Sequence, residues 1–242
     1  MGECVLPEVL TLSTFLGGMA FLFVLLRFFS VNGAYVYIAL TTILANTQAV
    51  RVASYSFLPD PVALGTELFV TTFIAENILI EYWGNRVARK GIALSFLASL
   101  FFMSILKITI LYPEIPDAYQ EHSLNKELAI LTYQLARLFW ASCGAYITSQ
   151  LLDIMVFSWL RAKLQGRFLL GRVNISALLA AFCDHLFFSL LAWRVLCSPP
   201  ISWASLFGSY ICGIFGLRCL LIFIGSFFVP LARFMIRPSD HE

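Results

Sequence analysis

The sequence predicts an all-α integral membrane protein, a compact bundle of about seven transmembrane helices. Three observations predict it. The 242 residues are 60% hydrophobic and only 12% charged, roughly half the charge of a soluble domain. The apolar residues stand in unbroken runs long enough to cross hydrocarbon, which takes about 20 residues as a helix. The loops between those runs alternate in charge sign. Continuous rather than alternating runs favour helices over strands, because lipid leaves every backbone polar group to pair inside its own element. A net charge of +2 is too small to suggest a nucleic-acid partner.

The runs cover 9–29, 34–57, 62–82, 91–112, 128–160, 173–196 and 204–232. The first follows Glu3 and Glu8 rather than a basic region, and no clean cleavage site comes after it. It reads as a retained span, a peripheral packing helix over 1–31. Residues 32–242 read as a six-helix core with a short C-terminal cytoplasmic tail. The fifth and seventh runs are long enough to tilt or kink.

Orientation follows from the loops. Arg27 ends the first run. The stretch 83–91, "WGNRVARKG", holds Arg86, Arg89 and Lys90. The next basic loop holds Arg161, Lys163, Arg167 and Arg172, and the tail adds Arg233 and Arg237. Lysine and arginine concentrate on the cytoplasmic side. The loop 113–127 carries Glu114, Asp117, Glu121 and Glu127 against Lys126, and Pro199–Pro200 mark another turn on that opposite side. The N-terminus is therefore expected outside and the C-terminus in the cytoplasm.

The six cysteines, Cys4, Cys143, Cys183, Cys197, Cys212 and Cys219, form no CxxC pair. They read as small apolar packing residues, so neither a metal nor a disulfide is expected. No protease, esterase or nucleotide-binding motif is present, and neither an enzyme nor a cofactor is expected.

The interior polar residues are then few. Asn46, Gln48 and Arg51 fall in the second run; Glu67, Glu76, Asn77 and Glu81 in the third; Lys107 in the fourth. Gln134, Arg137, Gln150 and Asp153 fall in the fifth, Asn174, Asp184 and His185 in the sixth, Arg218 in the seventh. Phe139, Ser142, Tyr146, Gln150 and Asp153 are spaced by three and four, which makes one helical stripe. Asn174, Ala177, Ala181 and Asp184 make a second. Glu81 and Lys107 lie near run ends and are expected to reach toward headgroups. His185 reads as a hydrogen-bonded packing residue, pointing to a different side from Asp184. Arg137 or Arg218 is expected to neutralise Asp153 or Asp184. Intramembrane ionisable residues in this number point to a substrate or ion path.

Four stretches together resemble the queuosine-precursor transporter family, also called the vitamin uptake transporter family. They are "ILANTQAV" (43–50), "WGNRVARKG" (83–91), "ARLFWASCGAYITSQLLDIMVFSWLR" (136–161) and "RVNISALLAAFCDHLFF" (172–188). The likeness runs from about residue 32 to 232. It implies an inner-membrane importer of 7-deazaguanine bases or queuine for tRNA modification. It also implies a bundle related to the substrate-binding components of energy-coupling-factor transporters. Asn46, Arg137, Gln150, Asp153, Asn174, Ser176 and Asp184 match the family's polar pattern, and Arg218 lies near a basic position of its last helix. The family usually carries Thr-Asp where this chain has Glu76–Asn77, so the carboxylate is turned by about 100° around the helix.

A guanine-like base offers two parallel donors to a carboxylate, an O6 acceptor to an amide or arginine, and a flat face to aromatics. The expected substrate-binding set is Asn46, Glu76, Asn77, Arg137, Tyr146, Gln150, Asp153, Asn174, Asp184 and Arg218, with Phe139, Trp140 and Phe187 as further stacking surfaces. The partners expected are the lipid bilayer and a nucleobase-like small molecule. A substrate-binding subunit for another vitamin-like molecule, served by a separate ATP-driven module, stays open. So do a homo-oligomer and the energy source.

Overall fold

The computed structural model describes residues 6–113 and 125–236. The acidic positions Glu114, Asp117 and Glu121, together with Cys4 and Arg237, lie outside them. The first two runs form one continuous helical element, α1 (Pro7–Gln48), interrupted at Ser30 by φ 51° and ψ −131°. The two arms fold back on each other there, with the Phe21 and Tyr37 rings 6.3 Å apart across the hairpin. Gly33 permits the reversal: any Cβ at this position would collide with the Leu25 carbonyl. The first arm buries Phe15, Met19, Leu22 and Leu26 completely, in the same core cluster as Phe73, Ile74 and Ile78.

The second arm stops at Gln48, nine residues before its run ends. Arg51, Pro59, Asp60 and Pro61 interrupt the apolar stretch, and proline both lacks an N–H and restricts the residue before it. The connection instead makes a two-residue antiparallel ladder, β1 (Val52–Ala53) with β2 (Val62–Ala63). It lies over one end of the bundle. The Ser56 N–H donates to Glu8 Oε1 at 2.7 Å, the Tyr55 and Thr11 hydroxyls meet at 2.8 Å, and the Ser209 hydroxyl donates to Asp60 at 2.7 Å. Gly65, at φ 97°, brings the chain against the Ala45 carbonyl as the next helix starts.

That helix, α2 (Thr66–Trp83), is the centre of the fold: every residue from Thr66 to Ile80 is buried. Around it stand α3 (Asn85–Thr109), α4 (Asn125–Lys163) and α5 (Leu169–Ser189), the last continued by a π-helical turn over Leu190–Val195. The final run is built of α6 (Trp203–Ser205), a π-helical stretch Leu206–Gly213, α7 (Ile214–Ser226) and α8 (Phe228–Ala232). Among the described residues, five helical stretches are long and apolar enough to cross a membrane: Pro7–Gln48, Asn85–Thr109, Lys126–Lys163, Leu169–Val195 and Trp203–Ala232. The protein is thus a multi-pass helical membrane protein. Among the described cysteines all five are unpaired.

Candidate functional site

Arg86, Arg89 and Lys90 stand in the first turns of α3, and Arg161, Lys163 and Arg167 at the end of α4 and in the turn after it. Arg172 of α5, with no side-chain exposure, makes a forked pair to Glu81 at 3.1 and 3.2 Å and donates to the Gly166 carbonyl at 3.0 Å. Its guanidinium stacks 5.0 Å from the Phe157 ring. Arg161 of α4 donates to the Ile80 carbonyl at 3.0 Å and stands 3.7 Å from Glu81. Glu81 therefore turns inward rather than toward headgroups, because a buried guanidinium offers it a fork that water would otherwise supply. This latch ties α2, α4, α5 and the turn between the last two.

The opposite end of α2 borders a narrow cleft beneath the β1–β2 connection. Asp184 of α5 and Arg218 of α7 sit in it as a buried ion pair at 2.9 Å. Arg218 also donates to the Ala181 carbonyl at 3.3 Å, and the Ser149 hydroxyl approaches the other Asp184 oxygen at 3.4 Å. Of the pairings that the sequence left open, this is the one formed. Phe69, Phe188, Trp193 and Tyr210 supply the cleft's aromatic walls, and Thr66, Ser142 and His185 its remaining polar atoms. The two π-helical stretches carry Trp193 and Tyr210 there; such widened turns recur at functional sites. His185 Nε2 bonds the Tyr210 carbonyl and links α5 to the last run. Asp184 and His185 point to different sides of α5, as expected, yet both line the cleft, because two residues 100° apart can flank one concave seam. Water centres can occupy ≈ 30 Å³ of the cleft, room for about two or three molecules. A bicyclic ligand requires its walls to part.

The expected site residues divide by depth. Asp184 and Arg218 line the cleft. Asn46 and Tyr146 line an adjoining crevice that shares Ser142 with it. Asn46 Nδ2 donates to the Thr42 carbonyl at 3.1 Å, and the Tyr146 hydroxyl meets Ser95 at 2.5 Å. Arg137 stands behind the cleft wall, its guanidinium 5.9 Å from the Trp193 ring. Deeper, Gln150 donates to Thr72 at 3.2 Å, Asn77 donates to Asp153 Oδ2 at 2.9 Å, and Ser176 approaches the Asn77 carbonyl oxygen at 3.4 Å. Glu76 is fully buried on the same level. Asn174 stands apart: its amide donates to Leu170 of its own helix and lines no described cavity near the pair.

The stacking surfaces need correction. Trp140 and Phe187 are 60% and 48% exposed on the bundle's outside. Phe188, one residue on, takes the inward place. Phe69, Trp193 and Tyr210 were missed because an aromatic inside an apolar run carries no mark distinguishing a cavity wall from core.

The family model described as "Putative vitamin uptake transporter" matches residues 63–232, which include every cleft residue named above. The "Probable queuosine precursor transporter" of Bacillus subtilis (strain 168) is 29% identical over 143 residues, 58% of this chain and 60% of its own length. The chain thus spans about three-fifths of that relative. No solved structure matches. With most of its length matched, and the ion-paired cleft inside the matched region, the chain belongs to the vitamin uptake transporter family.

Proposed function

We propose that the chain imports queuosine precursors, 7-deazaguanine bases or queuine, across a bacterial inner membrane for tRNA modification. The Asp184–Arg218 pair between aromatic walls carries the reading. One side chain offers parallel acceptors and its neighbour offers donors, the complement of a guanine-like edge. Asp184 accepts the N1–H and 2-amino protons, Arg218 donates to O6, and Trp193 or Phe188 stacks on the ring. The name of the Bacillus subtilis relative supports this substrate class.

The topology proposed has seven crossings: the two arms of α1, then α2, α3, α4, α5 with its π-turn, and 203–232. α2 counts as a crossing although its three carboxylates, Glu67, Glu76 and Glu81, make it too polar for a lipid-facing span. The basic end faces the cytoplasm by the positive-inside rule, so the cleft opens outward and the Glu81–Arg172 latch closes the inner side. Kinship with energy-coupling-factor substrate-binding components belongs to the same proposal.

The test uses a bacterial strain lacking its own importer and precursor synthesis. Each candidate base is supplied separately, and queuosine is measured in tRNA by mass spectrometry. The chain alone restores it. Asp184→Asn at equal membrane abundance weakens uptake affinity roughly 10- to 150-fold, from about 1.5–3 kcal/mol for hydrogen bonds to a charged group. Restoration by no base, or an unchanged affinity in Asp184→Asn, refutes the reading. Restoration only when an ATP-driven module is co-expressed assigns the chain as a binding subunit instead.

A further inference from the structure

Glu76 has no exposed surface, and neither of its carboxylate oxygens has a hydrogen-bond partner among the described residues. The substrate reading gives it no work, since it lines no described cavity. On α4, Asp153 is also without exposed surface, with Oδ1 unpartnered and Oδ2 held at 2.9 Å by Asn77, the residue next to Glu76 on α2.

Among the described residues, neither Glu76 nor Asp153 makes an ion pair. α4 presents Asp153, Tyr146 and Arg161; Tyr146 is bound to Ser95 of α3, and Arg161 to the Ile80 carbonyl beside Glu81. On α5 the charged or titratable groups are Arg172, Cys183, Asp184 and His185. Asp184 is bound to Arg218 of α7, His185 to the Tyr210 carbonyl, and Arg172 to Glu81. α1 offers Tyr37 beside Thr71, and α8 carries no titratable side chain. A carboxylate stripped of water with no donor costs several kcal/mol, and two carboxylates at one buried site cannot both ionise without a further penalty.

We infer that Glu76 and Asp153 form a proton-binding site, and that its proton is cotransported inward with the substrate. The inference rests on the importer reading. Its chemistry is a simple transfer: the carboxylic O–H of the pair forms with a proton from the outer side. It breaks when water reaches the pair from the inner side, leaving a carboxylate there and hydronium in the cytoplasm. Opening of the Glu81–Arg172 latch, one and a half turns below Glu76 on α2, gives that water its route.

Two measurements test it, one of which needs no substrate. Infrared spectra of the protein in membranes at neutral pH should show the carbonyl stretch of a protonated carboxylic acid, lost in Glu76→Gln or in Asp153→Asn. Proteoliposomes are then given the nitrile-bearing 7-deazaguanine base with the outside one pH unit more acidic. One proton per base supports up to about tenfold accumulation, and wild type should approach several-fold. The ratio of uptake with and without the gradient should fall to one in both variants. A band that persists in both variants, or a wild-type ratio of one while uptake proceeds, overturns the proton site. Absence of any uptake with the band present refutes the importer reading and the cotransport with it, but leaves the protonated pair standing.

Discussion

Removing one partner of the Glu81–Arg172 latch should cost more than removing both. Arg172 is fully buried and spends two of its donors on Glu81 and a third interaction on the Gly166 carbonyl. Breaking a buried pair from one side costs about 3–5 kcal/mol, whereas replacing both members with apolar residues is often neutral. The two single variants are not equivalent. Glu81 keeps 18% of its side chain exposed and has Arg161 3.7 Å away as a second cation, so Arg172→Met falls near the lower figure, about 3 kcal/mol. Glu81→Leu leaves Arg172 charged, dry and facing only Gly166 and Phe157, and belongs near about 5 kcal/mol. At about 2–4 °C per kcal/mol for a chain of this size, the melting temperature should drop roughly 6–12 °C in the first and 10–20 °C in the second. The double variant should recover most of the loss. Thermal unfolding of the detergent-purified protein reads all three. Single variants that melt like the parent, or a double variant whose loss equals the sum of the two, would refute the energetic linkage of the pair.

Other outcomes follow from the same geometry. Trp193→Ala removes a cleft wall and should weaken base binding by roughly 5- to 150-fold, from about 1–3 kcal/mol per stacked base; Trp140→Ala, on the outside of the bundle, should leave titration calorimetry unchanged. Gly33→Ala forces a Cβ into the Leu25 carbonyl and should destabilise the α1 hairpin by about 1–3 kcal/mol, seen as a lowered melting temperature. Ser142 lines both the cleft and the Asn46–Tyr146 crevice, so Ser142→Leu should crowd both and abolish uptake while the protein still elutes as a single species.

The fold class was legible because hydrocarbon imposes it, and the break at Pro59 to Pro61 separates the second and third runs; the early stop at Gln48 was hidden by the apolar residues that follow it. The break between the first two runs, at 30–33, was legible and the chain reverses there; the tightness of that reversal was not. It depends on one residue's dihedral angles and a glycine three positions on, with no polar loop to announce it. The stripe from Phe139 to Asp153 was readable from spacing alone, and the residues it names do face the interior. What spacing does not encode is which partner each polar group meets. Glu81 stood near a run end, where snorkelling was the simpler reading, and only the approach of α5 brings Arg172 onto it. The aromatic walls are the least legible part, since Trp193 and Tyr210 reach the cleft through π-helical turns that shift register.

The abrupt doubling of the chain at Ser30 bears on how the protein is made. With no hydrophilic linker between its arms, and Arg27 the single charge near the bend, this pair offers the insertion machinery almost nothing to hold on one face. Its handedness in the bilayer must be dictated by what is synthesised later, above all the cluster Arg86, Arg89 and Lys90. Neutralising that cluster should therefore misorient a segment more than fifty residues upstream of it.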